Sequence, residues 1–475
     1  MPMHAYATAS ELLDAVRQYA KADPASATVE IQDLDGLRTN EIDLLAYSAV
    51  FGDEEVRNLA RWFIWEAAQD ANCGPASIHE YYIAGGKGAW SNQTTPAINV
   101  RALTYDTART IFRAAKKLDV GQMIFEIARS EMGYTEQRPE EYTTSVLAAA
   151  IAEGHEGPVF IQGDHFQINA KGYATDPEAE MQGVRDLIDE ALAAGFYNID
   201  VDTSTIVDLS LDGEVAQQAE NARRSAELTA HIREREPQDI TVSVGAEIGE
   251  VGTTNSTVGE LHAFMQGYIS DLAQLNETDL IGISKISVQT GTSHGGIVLP
   301  DGSIATVKVD FDTLGDLSTA ARTEYGLGGA VQHGASTLPE AAFDRFSQSN
   351  ACEVHLATGF QNIVFDSEHF PSDLRDEMYE FLNEKFAGSR KADMTDAQFH
   401  YTERKRAIGP FKQRMWDLDD SVRAPIMSEL QERFELIFTR LNVVNTSAMV
   451  REHTRTPRIA YTRGNAISDV EVEGE

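Results

Sequence analysis

Short apolar runs alternate with longer helical stretches along most of the chain, starting near residue 96. The runs are bounded by Gly, Pro, Asp or Asn and several are rich in Val and Ile, as buried strands are. Eight runs follow one another: Ala97–Val100, Met123–Ile127, Pro158–Gln162, Tyr197–Val201, Thr241–Val244, Lys285–Val288, Gly329–Gln332 and Glu353–Leu356. The stretches between them include Asp106–Lys117, Glu178–Ala194 and Glu214–Arg235. This alternation predicts a (β/α)8 TIM barrel over 93–370.

An open, doubly wound parallel sheet is the structural alternative, but no G-x-G-x-x-G sequence follows the first run. The regions on either side of the barrel show helical periodicity. Glu41–Ala68 places apolar residues at helical spacing, interrupted at Phe51-Gly52-Asp53. We therefore predict a helical N-terminal extension over 1–92 and a helical C-terminal extension over 371–475.

Composition narrows the class of protein. The chain has 475 residues, with 39 Lys plus Arg against 75 Asp plus Glu, and its formal net charge of -36 disfavours nucleic acid and anionic membranes as partners. The acidity fits either simple solubility or adaptation to high salt. No apolar run approaches the roughly 20 residues that span a bilayer. With two cysteines, Cys73 and Cys352, and no secretory signal, we expect a cytoplasmic location.

Polar residues follow six consecutive predicted strands, where the catalytic groups of such barrels lie. They stand in six segments: Gly163-Asp164-His165, Asp200-Val201-Asp202-Thr203-Ser204, Gly245-Ala246-Glu247-Ile248-Gly249, Gly291-Thr292-Ser293-His294-Gly295, His333-Gly334-Ala335-Ser336 and His355-Leu356-Ala357-Thr358. Each histidine alone is more simply explained as an ordinary buried or surface residue. Together, His165, His294 and His333 predict a catalytic zinc with three imidazole ligands and an open position.

Two further features of these segments suggest chemistry. Gly334, Ser336 and Thr358 follow the seventh and eighth strands, where backbone N–H groups and hydroxyls commonly hold phosphate, although a plain turn explains them equally well. Asp164 is a candidate general acid or base, or else a carboxylate that orients a ligand imidazole.

These segments resemble the class II metal-dependent fructose-bisphosphate aldolases. The resemblance runs from about Pro96 to about Asp366 and rests on motifs that occur in the family's order: Pro96-Ala97-Ile98-Asn99-Val100, Gly163-Asp164-His165, Val201-Asp202-Thr203-Ser204, Glu220-Asn221 with Thr229, Ala246-Glu247-Ile248-Gly249, Gly291-Thr292-Ser293-His294-Gly295, Val309-Asp310-Phe311-Asp312-Thr313-Leu314 and His333-Gly334-Ala335-Ser336. Any one motif is weak, but the ordered set is strong evidence.

The resemblance implies roles for these residues. His165, His294 and His333 would bind Zn2+, and Asp164 would handle the proton on the C4 oxygen of a ketose. Asp202 and Glu247 would either bind an alternative metal position or orient the ligands. The implied reaction is reversible aldol cleavage of a ketose bisphosphate, first of all fructose 1,6-bisphosphate, into dihydroxyacetone phosphate and an aldehyde through a zinc-stabilised enediolate.

The resemblance also implies how substrate is held. Asn99, Gly295, Gly334, Ser336 and Thr358 would contact the sugar phosphate. In the tail, Lys412-Gln413-Arg414-Met415-Trp416 is similar to the longer members of the family, in which the Arg reaches the second phosphate from a neighbouring subunit. Arg414 would then imply a homodimer, although a surface arginine is an equal reading.

Departures from the family pattern leave the substrate open. His355 stands where the family usually has Asn, and we expect it to be catalytic. The loop after the fifth strand offers Glu250 or Glu260 for C–H proton removal, and we favour Glu250. The alternatives are a related zinc enzyme on another ketose, such as a tagatose-bisphosphate aldolase, a non-phosphorylated ketose aldolase or a 4-epimerase, or a non-catalytic companion subunit of an aldolase.

Overall fold

A computed structural model describes residues 4–24, 26, 28–249, 254–275, 280–291, 299 and 308–461 of the chain. Its α-helices, in chain order, are α1 Ala9–Val16, α2 Leu34–Asn40, α3 Ile42–Phe51, α4 Glu54–Asp70, α5 His79–Gly86, α6 Thr104–Leu118, α7 Arg129–Tyr134, α8 Pro139–Glu153, α9 Ala170–Thr175, α10 Pro177–Ala193, α11 Glu214–Arg235, α12 Val258–Gln274, α13 Phe311–Tyr325, α14 Phe343–Gln348, α15 Thr358–Asp366, α16 Ser372–Lys385, α17 Asp396–Glu403, α18 Lys412–Trp416, α19 Asp420–Arg440 and α20 Ser447–Glu452. Short 3-10 segments lie at Ser204–Ile206, Glu340–Ala342, Ala387–Ser389 and Arg404–Ala407.

Eight parallel strands close into a barrel. The strands of the protein are β1 Ala20–Asp23, β2 Thr28–Ile31, β3 Pro75–Ala76, β4 Thr95–Asn99, β5 Ile124–Ala128, β6 Val159–Gln167, β7 Asn198–Asp202, β8 Ser243–Glu247, β9 Lys285–Val288, β10 Ala330–Gln332 and β11 Glu353–Leu356. Strands β4 to β11 each pair with the next, and β11 pairs with β4. The predicted (β/α)8 barrel and all eight predicted strands are confirmed. The prediction succeeds because each strand is a separate apolar run with polar residues, Gly or Pro at its ends.

The N-terminal region departs from a purely helical prediction. Helices α3 and α4 flank the predicted interruption at Phe51-Gly52-Asp53, with the Asp53 side chain capping α4 by accepting from the N–H of Val56. However, β1 and β2 form an antiparallel hairpin before them. In Thr28–Ile31 the second and fourth residues are the less exposed ones, as in a strand with one face packed on the protein. The alternation spans only four residues, so the longer helical pattern that follows dominated the prediction.

The segment from Pro75 to Trp90 closes one end of the barrel. Strand β3 pairs with the first residues of β6, and α5 lies next to it. The buried side chains here form a separate apolar cluster with the interior of the barrel: Ala76, Ile78, Tyr81, Tyr82, Trp90, Ala97, Ile124, Phe160, Val331, Cys352 and Val450. We call this the closed end of the barrel, and the opposite end, where the C-terminal ends of the strands meet, the open end.

The flanking helices pack on the outside of the barrel. Helices α3 and α4 contact α8, and α19 contacts α6 and α15. A single buried cluster runs from Leu12 to Val443, so both flanks share a hydrophobic core with the barrel helices. The domain boundaries at 92 and 370 stay predictions. None of the described helices combines the length and the apolar character needed to cross a membrane.

Candidate active site

A bulge in β6 brings two consecutive side chains to the open end. The register between β6 and β7 shifts between Gly163 and Phe166, and His165 between them has a left-handed φ of +43°. A Cβ on Gly163 would lie 2.4 Å from the Phe166 ring, so glycine is needed there. In a regular strand Asp164 and His165 would point to opposite faces. The bulge lets both side chains reach the open end of the barrel, and bulges commonly redirect side chains in this way near active sites.

Two of the predicted metal ligands lie face to face. The ring centroids of His165 and His333 are 4.3 Å apart. Asp164 Oδ1 lies 3.8 Å from His165 Nε2 and 3.5 Å from His333 Nε2. On the other side, His165 Nδ1 lies 3.2 Å from Asp202 Oδ2 and 3.7 Å from Glu247 Oε2. The fold therefore brings Asp164, His165 and His333 within ligand distance of one another, and a second group, Asp202 and Glu247, within ligand distance of His165.

Charge and burial set the protonation of this group. Burial pushes the pKa of His165 down, but the carboxylates of Asp164 and Asp202 raise it well above its ordinary value. Burial and the neighbouring imidazoles of His355 and His165 hold the pKa of His333 well below its ordinary value. Burial, together with the Asp202 carboxylate, raises the pKa of Glu247 well above its usual range. A histidine that stays neutral, such as His333, is in the form that a metal requires.

His355 extends the cluster at the end of β11. Its ring centroid lies 4.0 Å from that of His333. Its Nδ1 lies 2.9 Å from Glu126 Oε2 and 3.2 Å from Asp164 Oδ1, and its Nε2 lies 2.6 Å from Glu353 Oε1. The predicted catalytic position of His355 is thus next to Asp164, and it also contacts two carboxylates of the barrel interior.

The pKa values of these groups are strongly shifted. Burial raises the pKa of Glu126 to about 8, against the opposing charge of His355. Burial also pushes the pKa of Asp164 up, but the imidazoles of His165 and His355 hold it well below its usual range. Burial lowers the pKa of His355, and the carboxylates of Glu126 and Asp164 more than reverse that effect. Such opposed shifts in one cluster are typical of functional sites.

A fully buried lysine lies one layer deeper. Lys285 Nζ donates to Gln162 Oε1 at 2.7 Å, to Asp200 Oδ2 at 3.0 Å and to Glu353 Oε1 at 2.6 Å, which uses all three of its protons. Tyr82 from α5 donates to Glu353 Oε2 at 2.5 Å. We call these five residues the charged layer. Burial opposes the charge on Lys285, but Asp200 and Glu353 raise its pKa above the ordinary value.

The predicted phosphate-binding residues lie together at the start of α15. Thr358 is the first residue of this nine-residue helix, and Gly334 has a φ of +68° in the loop after β10. A Cβ on Gly359 would lie 2.6 Å from the carbonyl oxygen of Ser336, so the loop packs directly on the first turn of α15. N–H groups at a helix start favour an anion.

Asn99 is engaged by its neighbours. Its Nδ2 donates to Glu131 Oε2 at 2.5 Å and its Oδ1 accepts from Arg101 Nε at 3.2 Å, while Arg101 NH2 pairs with Glu131 at 2.6 Å. The Arg101 side chain is largely buried at the end of β4, and sequence reasoning overlooked it. The substrate role of Asn99 stays a prediction.

The remaining predicted residues lie elsewhere. Arg414 is on α18, outside the barrel, and its half-exposed side chain pairs with Glu377. Glu250, His294 and Gly295 lie outside the described residues, so their roles stay predictions.

Four carboxylate or lysine positions of the interior were not singled out from the sequence. Glu126, Asp200, Lys285 and Glu353 all stand in barrel strands. A signal was present for two of them, because Asp200 and Asp202, like Glu353 and His355, are two residues apart and so face the same side of a strand. An ionisable residue two positions before a site residue would have identified Asp200 and Glu353, but not Glu126 or Lys285.

The donor chemistry fits a divalent metal. His165 and His333 supply imidazole nitrogens, and Asp164, Asp202 and Glu247 supply oxygens, all buried or nearly so. Mixed nitrogen and oxygen sets of this kind suit zinc and related ions.

The chain is similar to a known protein family and to several solved structures. The family model described as fructose-bisphosphate aldolase class-II matches residues 89–411. No match was found among curated proteins. A probable tagatose 6 phosphate kinase from Sinorhizobium meliloti has 15% identity and a TM-score of 0.53, over 74% of this chain and 97% of that chain. This likeness supports the barrel fold.

Two other solved structures are similar at a lower TM-score. A putative fructose-1,6-biphosphate aldolase from Coccidioides immitis has 17% identity and a TM-score of 0.45, over 78% of this chain and 97% of that chain. A fructuronate-tagaturonate epimerase from Cohnella laeviribosi has 13% identity and a TM-score of 0.47, over 93% of this chain and 90% of that chain. The family model covers well over half of the chain, and the chain therefore belongs to the class II fructose-bisphosphate aldolase family.

Proposed function

We propose that this protein is a metal-dependent aldolase that cleaves a ketose phosphate reversibly, with fructose 1,6-bisphosphate as the first substrate to test. One observation carries the proposal. In a member of the class II family, two imidazoles and three carboxylates meet at the open end of the barrel. When bound there, a divalent cation such as Zn2+ supplies Lewis-acid polarisation of a substrate carbonyl.

The residues around that position support the chemistry of an aldol reaction. Asp202 lies against Nδ1 of His165 and fixes the orientation of its ring. Asp164 lies at the centre of the group, ionised and buried, where a carboxylate can accept and return the proton of the substrate C4 hydroxyl. The low accessibility of these carboxylates keeps water away from the reacting atoms.

Phosphate binding is assigned to the loop after β10 and the start of α15. The N–H groups of the first turn of α15 and the hydroxyls of Ser336 and Thr358 form a small group of donors there. We further propose a cytoplasmic homodimer in which Arg414 of one chain reaches the second phosphate of the other, exchanging its contact with Glu377.

Metal content and aldol cleavage test the proposal together. We expect purified protein incubated with Zn2+ in high-salt buffer to bind the metal and to cleave fructose 1,6-bisphosphate in a coupled assay. His165→Ala should lose both properties, whereas the matched variant His231→Ala should keep both, since His231 pairs with Asp189 away from the open end. No metal in the wild type after zinc is offered would overturn the proposal and favour a companion subunit.

A related reaction on another ketose is a second candidate. The observation that favours it is His355, whose imidazole contacts Glu126 and Glu353 where the family usually has an Asn amide. A panel of fructose and tagatose bisphosphates, free ketoses and their C4 epimers separates the candidates. Cleavage of free ketoses at rates equal to those of the bisphosphates, or C4 inversion without cleavage, would replace the first proposal with this one.

A further inference from the structure

Three buried side-chain atoms converge beside the predicted zinc ligands without hydrogen bonds of their own. They are Glu126 Oε1, Asp164 Oδ1 and His355 Nδ1. Nδ1 of His355 lies 2.9 Å from Glu126 Oε2 and 3.2 Å from Asp164 Oδ1, yet neither contact has the alignment of a hydrogen bond. Buried polar atoms are nearly always paired, so a group of three at one point calls for a ligand.

The other side of the His355 ring explains why Nδ1 is free to bind. Nε2 lies 2.6 Å from Glu353 Oε1, and Glu353 is held as a carboxylate by Lys285 at 2.6 Å. An ionised carboxylate only accepts, so Nε2 carries the proton. Nδ1 is then the nitrogen that faces Glu126 and Asp164, and a metal bound there would take the place of the proton that these carboxylates favour on it. A carboxylate behind the distal nitrogen is the usual support of a metal-bound histidine.

The spacing of these donors also fits a metal. Ligands bound at 2.0–2.2 Å in tetrahedral or octahedral geometry lie about 3.0–3.5 Å from one another. The contacts of 2.9 and 3.2 Å at His355 Nδ1 are close to such an edge. One imidazole with two carboxylates suits Mn2+ or Zn2+.

The interior near the open end is rich in groups that a cation could ionise. Six buried carboxyl groups lie there: Glu126, Asp164, Asp200, Asp202, Glu247 and Glu353. Among the described residues, Lys285 is the lysine that pairs with this group, through Asp200 and Glu353, and the nearby Arg101 is paired with Glu131. A metal bound at Glu126 and His355 would displace the protons that these two groups hold without it.

We propose that Glu126, Asp164 and His355 bind a second divalent metal, adjacent to the one at His165 and His333. The proposal rests on the proposed function for its first metal. Asp164 Oδ1 faces both groups, at 3.5 Å from His333 Nε2 and 3.2 Å from His355 Nδ1, so this oxygen would be shared by the two sites. Paired ions of this kind lie about 3.5–4 Å apart. Oδ2 of Asp164 is left for proton transfer.

Counting Mn2+ tests the proposal without any substrate. The full-length protein is dialysed against saturating Mn2+, bound metal is measured by elemental analysis, and the electron paramagnetic resonance spectrum is recorded. We expect two Mn2+ per chain and the exchange-coupled signal of neighbouring ions. Glu126→Gln and His355→Asn should each reduce the content to one and leave an uncoupled six-line spectrum. The matched variant Glu190→Gln, which removes a buried carboxylate paired with Arg138, should keep two.

Each other result has a defined meaning. One Mn2+ in the wild type, or two in both variants, overturns the second site and leaves the proposed aldolase intact. No Mn2+ in the wild type overturns both proposals. Thermal melting of every variant shows whether it is folded, and if Glu126→Gln does not fold, His355→Asn decides the question, because Asn keeps a polar amide at that position.

Discussion

The two ends of the barrel interior bury their side chains in opposite ways. The closed end is filled by rings and aliphatic groups such as Tyr81, Trp90 and Phe160, and the Tyr81 hydroxyl and the Trp90 indole donate to protein oxygens. The open end is filled by histidines and carboxylates, among which atoms of Glu126, Asp164 and His355 lack aligned partners. Between them, the charged layer buries Lys285, whose three protons all have protein acceptors. The difference teaches that completeness of pairing, rather than buried charge itself, separates structural ions from ligand-binding ones.

The largest expected effect comes from breaking the charged layer. Lys285→Met leaves Asp200 and Glu353 buried without their cation, and we expect a loss of about 3–5 kcal/mol in the free energy of unfolding. Urea denaturation measures it, with Lys117→Met as the matched control, since Lys117 is exposed and pairs with Glu435. A loss as small as that of the control would show that the layer does not hold the barrel together.

A milder change at the same layer removes one donor. Tyr82→Phe deletes the hydroxyl that donates to Glu353 Oε2 and leaves the ring in place. Hydrogen bonds to charged groups contribute about 1.5–3 kcal/mol, so we expect a loss in that range by urea denaturation. Tyr197→Phe, on a buried tyrosine outside the charged layer, is the control. Metal content should stay at the wild-type value. Loss of metal in this variant would show that the charged layer and the metal-binding residues at the open end are not independent.

At the open end, an orienting carboxylate should affect function more than folding. Asp202→Asn removes the charge beside Nδ1 of His165. We expect metal affinity or aldol cleavage to fall about 10–100-fold. The free energy of unfolding without metal should fall by a smaller factor, because Asn keeps an acceptor oxygen for the Ser204 hydroxyl and only the charge beside His165 is lost. Titration with Zn2+ and urea denaturation of the apoprotein measure the two quantities, and equal losses in both would contradict a metal-orienting role.

Near neutral pH the smallest effect is expected at the closed end, where a histidine influences stability only as the pH falls. Burial lowers the pKa of His79, in the first turn of α5, to about 3. Below the unfolded value of about 6.5, the unfolded chain takes up a proton that the folded chain refuses. Above pH 6.5 both states are neutral at this position and His79 does not change the free energy of unfolding. Below pH 6.5 the free energy of unfolding falls by about 1.4 kcal/mol per pH unit until the pH nears 3. His79→Gln should flatten the pH dependence of urea denaturation, and the control His369→Gln, half exposed, should not.

The sequence predicts the barrel well because its information is local. Each strand is a bounded apolar run, and the site histidines stand directly after such runs, as His165 and His333 do. The charged layer was not predicted because its pairs depend on distant contacts: Lys285 meets Glu353 68 positions later, and Tyr82 meets it from 271 positions away. The left-handed turn at His165 was equally hidden, since the bulge depends on how β6 meets β7.

The contact between Tyr82 and Glu353 has a consequence for how the protein is made. Tyr82 leaves the ribosome long before β11 is synthesised. The α5 helix therefore lacks its contact with Glu353 through most of translation. Loop closure over such a distance is slow, and barrels built from distant pairings fold late. We therefore expect nascent chains that end before β11 to remain open at this end and to expose the aromatic side chains of α5 to proteases until the last strand arrives.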